Sequence, residues 1–182
     1  MPRQLNATAA SLLGFLHEGP MSGWDLLETA QERIGGFWSL TPSQVYRELA
    51  RLADDGLAEA GAPGPRARRV FTLTDDGREA FRRWLEAEPA PEQIRFPLLL
   101  TMAFGRHLPP ERRAAILASH RAAHEERLAA YQEAQRNLSA GADAYAAATL
   151  DFGIRYERAV LDWFAHLPPE VAGTEAPGHD TL

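Results

Sequence analysis

The sequence predicts a mainly α-helical chain (α with a small β-wing) organised as two domains. Residues 1–88 alternate short helical patterns with turn-forming residues and include one pair of short apolar strands, whereas residues 89–167 hold longer Ala-rich helical patterns with aromatic residues at intervals. Between them, Glu88-Pro89-Ala90-Pro91 is expected to stiffen a connection, because proline ends a helix. Residues 168–182 are rich in Pro and Gly, and we expect this tail to be disordered.

Composition limits the function classes open to the chain. It has 182 residues, a formal net charge of -6 and 19 basic residues, all of them arginine. The absence of cysteine excludes disulfides and thiolate metal sites. No signal sequence or bilayer-length apolar run is present, so we expect a cytoplasmic protein without membrane contact. The negative charge disfavours coating of nucleic acid by bulk charge but leaves room for local basic clusters.

The first two helices are short and have clear ends. An apolar face predicts the first helix over roughly residues 8–17, where Gly19-Pro20 stops it. The second is expected to follow Ser22 as its N-cap and to turn Trp24, Leu27 and Ile34 inward.

The third helix has the best-defined start in the sequence. Thr41 is predicted as N-cap, with Pro42 at the first helical position and Gln44 completing a capping box. An apolar set repeats every three or four residues and is expected to turn inward: Val45, Leu49 and Leu52. The remaining residues are then expected to form a polar outward face: Gln44, Arg47, Glu48 and Arg51.

A hairpin and a fourth helix complete the N-terminal domain. Gly56 ends the third helix, residues 57–60 and 69–73 read as two short strands, and a Pro- and Gly-rich tip separates them. Thr74 then starts a fourth helix. Three helices, a hairpin and a further helix together predict a winged helix-turn-helix domain.

Four segments carry a resemblance to a known family. They are Phe37-Trp38, Ser43-Gln44-Val45-Tyr46-Arg47-Glu48-Leu49, Leu52-Ala53-Asp54-Asp55-Gly56-Leu57 and Phe71-Thr72-Leu73-Thr74-Asp75-Asp76-Gly77. In order and spacing they resemble the PadR-like transcriptional regulators. Residues 95–100 and the helices after them resemble the longer C-terminal domain of members grouped with virulence-gene activators.

The resemblance implies a homodimer that mostly represses transcription and is often released by a small hydrophobic or aromatic effector. A homodimer with two helix-turn-helix domains would in turn bind a palindromic operator in double-stranded DNA.

The third helix and the hairpin tip supply the candidate DNA contacts. The N-terminal part of a recognition helix enters the major groove, where Arg reads guanine and Gln reads adenine. The base-reading candidates are therefore Ser43, Gln44 and Arg47. The phosphate-contacting candidates are Tyr46 and Arg51 on the helix and Arg66, Arg68 and Arg69 on the wing. Alternatively, Tyr46 covers the edge of the core, Arg51 pairs with a carboxylate, and the wing is a solvated loop.

Two long helices are predicted in the C-terminal domain. The first begins after Pro109-Pro110 and carries a stripe interpreted as a partner-facing seam: Leu117, His124, Leu128, Tyr131 and Leu138. The second begins near Asp143 and carries a further stripe: Tyr145, Phe152, Tyr156, Ala159, Trp163 and Leu167.

Five aromatic residues of these stripes are the candidates for a dimer interface or an effector site: Tyr131, Tyr145, Phe152, Tyr156 and Trp163. Large aromatics can anchor an interface, and an apolar cavity lined by them would admit a flat organic molecule. The alternative is that they form an ordinary helical core.

No catalytic residue or cofactor is predicted. The sequence has no nucleophile elbow, phosphate-binding glycine loop or His-Glu-x-x-His helix, which argues against an enzyme. His120 and His124 lie one turn apart but lack a third ligand, so no metal is expected. A winged-helix module that binds proteins rather than DNA is the main alternative, and an enzyme of unknown type is a weaker one.

Overall fold

The computed structural model describes residues 5–64, 68–91, 94–138 and 143–173. The chain divides into two compact units, residues 1–91 and 92–182, a division three residues after the predicted boundary. The helices of the first unit are α1 (Ala7–Leu16), α2 (Gly23–Arg33), α3 (Pro42–Asp54) and α4 (Asp75–Glu86). Its strands are β1 (Met21–Ser22), β2 (Ala58–Ala60) and β3 (Val70–Leu73). The second unit contains α5 (Pro97–Ala103), α6 (Pro110–Asn137), α7 (Ala144–Ala165) and α8 (Pro169–Ala172). The mainly helical fold with a small β-wing is confirmed.

The core of the first unit lies between α1, α2 and α3. Its largest fully buried side chains come from all three helices: Leu12, Leu13, Leu16, Leu26, Val45 and Leu49. On α2 the predicted inner face is wrong in part, because Trp24 is 61% exposed while Leu26 and Ala30 are buried. Leu26 and Ala30 stand four residues apart and so share one side of the helix.

The small sheet contains a strand that the sequence did not predict. Its order is β1-β3-β2, all antiparallel, with Met21 opposite Phe71 and Ala58 opposite Leu73. Two residues are too few to show an alternating pattern, so β1 could not be recognised from periodicity. Through β1, the base of the wing is joined to the start of α2.

In the second unit, α6 and α7 pack against each other along their length. Leu117, Ile154 and Phe164 are buried in this seam. Tyr131 of α6 lies against Gly153 of α7, where an added Cβ would come within 3.1 Å of the ring. The stripe on α6 that we interpreted as facing a partner therefore contains residues that contact α7 of the same chain.

The expectation of disorder from residue 168 onward is wrong at its start, since α8 spans Pro169–Ala172. Arg113 on α6 holds this helix by donating to the carbonyl oxygens of Val171 at 2.8 Å and Glu170 at 2.7 Å. The guanidinium also donates to the carbonyl of Gly105 at 3.1 Å, in the short 3₁₀ turn that follows α5. Residues 174–182 lie outside the described part of the chain. Among the helices described, none combines the length and apolar character needed to cross a membrane.

Gly77 is a buried contact point between α4 and the wing. A Cβ built there would lie 2.0 Å from the Leu57 carbonyl oxygen and 2.8 Å from Cδ1 of Leu73. Within a helix, Gly→Ala ordinarily stabilises by about 1 kcal/mol. At this position the steric conflict with backbone outweighs that gain.

We therefore expect Gly77→Ala to lower the free energy of unfolding by roughly 2 kcal/mol, because the overpacked helix must move away from the wing. Urea denaturation followed by circular dichroism measures the change. Arg78→Ala, at the adjacent exposed position, is the control and should shift stability by less than about 0.5 kcal/mol. Gly77→Ala at wild-type stability would contradict the close packing.

Candidate nucleic-acid interface

The predicted capping box at the start of α3 is present. Gln44 Oε1 accepts from the Thr41 backbone N–H at 2.9 Å and from Thr41 Oγ1 at 3.0 Å, while Thr41 Oγ1 accepts from the Gln44 N–H. Bidentate recognition of adenine uses both the oxygen and the nitrogen of a side-chain amide. Since the Gln44 oxygen is engaged in the cap, Gln44 could read adenine in this way only by opening the cap. Ser43 and Arg47 are exposed on the same turn and do not have this restriction.

Glu48 is the main departure from the predicted polar face of α3. We placed it outward, but it is only 4% exposed. Its carboxylate accepts from Asn6 Nδ2 at 3.2 Å and from Arg51 Nη1 at 3.0 Å, and Arg47 Nε lies 3.5 Å away. Asn6 is also the N-cap of α1. Glu48 therefore ties α3 to the start of α1, and the alternative that Arg51 pairs with a carboxylate matches the geometry.

Tyr46 lies over the first residue of α2. An added Cβ at Gly23 would be 2.5 Å from Cε1 of Tyr46 and would collide with the ring. Glycine at the start of α2 thus permits this approach. Because Tyr46 remains 52% exposed, it both packs on α2 and presents part of its ring to solvent.

Arg68, at the base of the wing, is paired with α2. Its Nη2 donates to both carboxylate oxygens of Asp25 at 2.7 Å. Asp25 also accepts from the Ser22 backbone N–H at 3.0 Å as part of a second capping box. The Ser22 backbone hydrogen bond and then the Arg68 guanidinium hold the pKa of Asp25 below its ordinary value.

These contacts bring three predicted DNA contacts into one cleft of about 600 Å³, lined by Ser22, Gly23, Trp24, Tyr46, Arg68, Arg69 and Phe71. Tyr46, the residue before Arg47, is the part of α3 that lines this cleft. Two guanidinium groups and a phenol are the groups that proteins use to hold phosphate. Arg66 falls outside the described residues.

The sequence did not identify Gly23 or Asp25 as parts of this surface. Asp25 and its partner Arg68 are 43 residues apart in the sequence. No local pattern connects two residues at that separation.

Some aromatic candidates of the second unit are exposed, and others pack against neighbouring aromatic rings. Tyr145 and Phe152 are 84% and 64% exposed in the single chain. Tyr156 stacks on Phe96, with ring centroids 6.4 Å apart, and Trp163 meets Phe164 edge-on at 4.9 Å. Burial, followed by the nearby charge of Glu157, raises the pKa of Tyr156 and likewise that of Tyr131.

Below these aromatics is a buried polar network. Glu157 is 3% exposed, accepts from Arg127 Nε at 2.9 Å and contacts His124 Nδ1. His124 is thus held by a carboxylate. The described residues contain no group of three or more side chains placed to bind a metal.

Comparison with known proteins gives two family matches. Residues 12–83 match the transcriptional regulator PadR-like family, and residues 94–167 match the family described as virulence activator alpha C-term. The negative transcriptional regulator PadR of Bacillus subtilis is 29% identical over 147 residues, which are 79% of this chain and 81% of that protein.

Two solved structures of Bacillus subtilis PadR are also similar. The complex with operator DNA gives a TM-score of 0.73 at 24% identity, covering 88% of this chain and 96% of that chain. The complex with p-coumaric acid gives a TM-score of 0.68 at 23% identity, covering 92% and 98%. At these identities the two structural similarities establish the fold.

The pKa of Asp25 is lower in the folded than in the unfolded chain. The ionised carboxylate therefore stabilises the fold at pH values above the ordinary pKa of this group, near 3.8. This stabilisation is lost as the pH falls through the lower pKa of the folded chain. Asp25→Asn lacks the titrating group but keeps an acceptor for Ser22. We expect its stability to fall less than that of the wild type between about pH 5 and pH 2. Chemical denaturation at several pH values measures this difference.

Arg68→Gln serves as the matched variant. It removes the guanidinium that helps to lower the pKa of Asp25, and it leaves the hydrogen bond from the Ser22 backbone in place. Its pH dependence should lie between those of the wild type and Asp25→Asn. Parallel curves for wild type and Asp25→Asn would show that Asp25 has no such pairing.

Proposed function

We propose that the chain, which matches the PadR-like family of transcriptional regulators over residues 12–83 and the virulence-activator C-terminal family over residues 94–167, binds a palindromic operator in double-stranded DNA as a homodimer. The family consists of transcriptional regulators, not enzymes. The observation that supports the proposal is the cleft in which Tyr46 of α3 and two arginines of the wing, Arg68 and Arg69, come together.

The two surfaces of this interface have different chemistry. Ser43 and Arg47 stand on α3 where a recognition helix meets base edges, and Arg47 keeps a side chain 55% exposed. Arg68 and Arg69 stand at the base of the wing, which reaches phosphates or the minor groove. A chain of net charge -6 thus binds DNA through a local cluster rather than through its total charge.

The homodimer is proposed to form through the second unit. The stripe on α7 that includes Tyr145 and Phe152 lies on a different side of the helix from the buried residues Ile154 and Phe164, because successive residues turn by about 100°. The outer side of α5 is also apolar and exposed, at Leu100 (65%) and just after the helix at Phe104 (61%). Such surfaces are typical of a partner interface rather than of a monomer.

We also propose that the chain represses transcription and that binding of a small aromatic molecule releases it from the operator. Both are supported by the relative PadR, whose name describes a negative regulator and whose structures include a complex with p-coumaric acid. Aromatic side chains line a cavity in the second unit of this chain and could receive such a molecule.

Base reading and phosphate binding can be separated by two arginine variants. Arg47→Ala should cost about 1 to 3 kcal/mol on the preferred operator and relax the preference at one base position in each half-site. Arg69→Ala should weaken binding to all duplexes alike and reduce the salt dependence by about one phosphate contact. Arg69 is the cleaner wing variant, because removing Arg68 would also expose the Asp25 carboxylate.

The measurement is selection of bound sequences from a random duplex library, followed by titration of each variant against the selected and a scrambled duplex. An equal loss on both duplexes for Arg47→Ala would make Arg47 a phosphate contact. Failure of the wild-type chain to select any duplex would contradict the proposed function itself.

Dimerisation is tested at Phe152. Because this ring is 64% exposed in the single chain, Phe152→Ala should cost little folding stability but weaken dimerisation by about 2 kcal/mol or more if the ring is buried between partners. Arg158→Ala, an exposed position on a different side of α7, is the control. Sedimentation equilibrium gives the dissociation constants, and equal values for Phe152→Ala and wild type would remove Phe152 from the interface.

A further inference from the structure

Glu48 is buried between two arginines of α3 that are candidate DNA contacts. Its side chain is 6% exposed, whereas those of Arg47 and Arg51 are 55% and 48% exposed. One carboxylate oxygen, Oε1, lies 3.0 Å from Nη1 of Arg51 and 3.5 Å from Nε of Arg47. The other oxygen accepts from Asn6 Nδ2 at 3.2 Å. One oxygen thus anchors the carboxylate to the start of α1, and the other meets both guanidinium groups.

The shared oxygen compensates two like charges on one side of α3. Arg47 and Arg51 stand four residues apart, and like charges at this spacing repel each other. The carboxylate also draws the guanidinium of Arg47 sideways, since neighbouring residues of a helix point about 100° apart. A buried carboxylate in an ion pair adds little net stability compared with apolar packing, because it loses its hydration. The position that it gives to the arginines is therefore the better explanation of this arrangement.

The contact through Nε decides which part of Arg47 remains available. Guanine offers two acceptors, O6 and N7, to which a guanidinium donates with two parallel N–H groups. An arginine held at Nε keeps the pair at its end, Nη1 and Nη2, for this purpose. It is also less free to swing towards the phosphates, which every sequence carries. In addition, the negative charge of Glu48 disfavours a duplex that offers Arg47 no guanine.

We propose that Glu48 determines the sequence specificity of the DNA-binding unit by holding Arg47 at Nε, so that the two Nη groups meet a guanine. Glu48 does not touch DNA in this arrangement. It is a positioning residue that acts through Arg47. The inference rests on the proposed function and deepens it, because it names the base that α3 selects and the residue behind that selection.

The experiment compares Glu48→Gln with the wild-type full-length chain on two duplexes, the sequence selected by the wild type and a scrambled version. Glutamine has the same size and keeps an acceptor for Asn6, but it lacks the charge. We expect the preference for the selected duplex to fall about tenfold, the size of one lost bidentate base contact. Binding to the scrambled duplex should become about threefold tighter, because the freed guanidinium can meet a phosphate.

A selection repeated with Glu48→Gln should return the wild-type site with one guanine in each half-site no longer required. An equal loss of affinity on both duplexes would show that Glu48 has only a structural role and would overturn the proposal. So would an unchanged preference in a folded Glu48→Gln protein.

Two further comparisons isolate the contact with Arg47. Asp55→Asn removes one negative charge from an exposed position about two turns further along the same side of α3, and it should leave the preference unchanged. In an Arg47→Ala background, Glu48→Gln should no longer alter the preference, because Glu48 acts through Arg47. An equal loss of preference in Asp55→Asn, or a full effect of Glu48→Gln in the absence of Arg47, would overturn the assignment.

A measurement on the unchanged chain decides the matter if Glu48→Gln does not fold. The Nε–H resonance of Arg47 is identified by its absence from the proton–nitrogen spectrum of Arg47→Lys. In the wild-type protein free of DNA, we expect this proton to exchange with water about tenfold more slowly than the Nε–H of free arginine, because the carboxylate holds it. Exchange at the rate of free arginine would overturn the proposal.

These results separate the inference from the proposed function. A wild-type chain that selects no duplex contradicts the proposed function, and the inference falls with it. A wild-type chain that selects a duplex, with a preference that Glu48→Gln retains, keeps the proposed function and loses only the role of Glu48.

Discussion

Burial of Val45, Leu49 and Leu52 fixes the rotation of α3 about its axis, and the places of the proposed DNA contacts follow from that rotation. Glu48 adds a polar constraint beside this apolar one, because its buried carboxylate meets Asn6 at the start of α1. Ser43 and Arg47 therefore lie on the side of α3 that stays exposed to solvent once the core residues and Glu48 are buried.

The start of α2 connects this helix to the wing. Ser22 pairs with Val70 in the sheet and caps α2, where it hydrogen-bonds with Asp25. Asp25 in turn holds Arg68, while Tyr46 of α3 rests on Gly23. One short segment therefore positions groups from both proposed DNA-contacting elements, and a change there would alter the wing and the recognition helix together.

In the second unit, α7 is apolar on two different sides. One side meets α6 and includes Ile154, and the charge of Glu157 on that side is compensated by partners on α6. The other side carries Tyr156, which stacks on Phe96, and Phe152, which is exposed. A helix with one face in its own core and another only partly covered can link packing within a chain to association between chains.

The sequence by itself determined the features that depend on neighbours along the chain. The start of α3 was predictable because Thr41 and Gln44 form a cap across three residues, and the inward face of α3 was predictable from its helical spacing. The starts of α6 and α7 were predictable in the same way, from Pro109-Pro110 and from Asp143. The candidate residues Tyr46, Arg68 and Arg69 were also identified from type and position, although nothing in the sequence indicated that they share a cleft.

Tertiary structure decided the rest, because the deciding contacts join residues far apart in sequence. The pairing of Arg68 with Asp25 spans 43 residues and that of Glu48 with Asn6 spans 42. The exposure of Trp24 and the contact of Tyr131 with α7 depend on how whole helices meet. Periodicity shows that a helix has an apolar or a polar side, but the partner that a side chain meets is set only when distant segments pack.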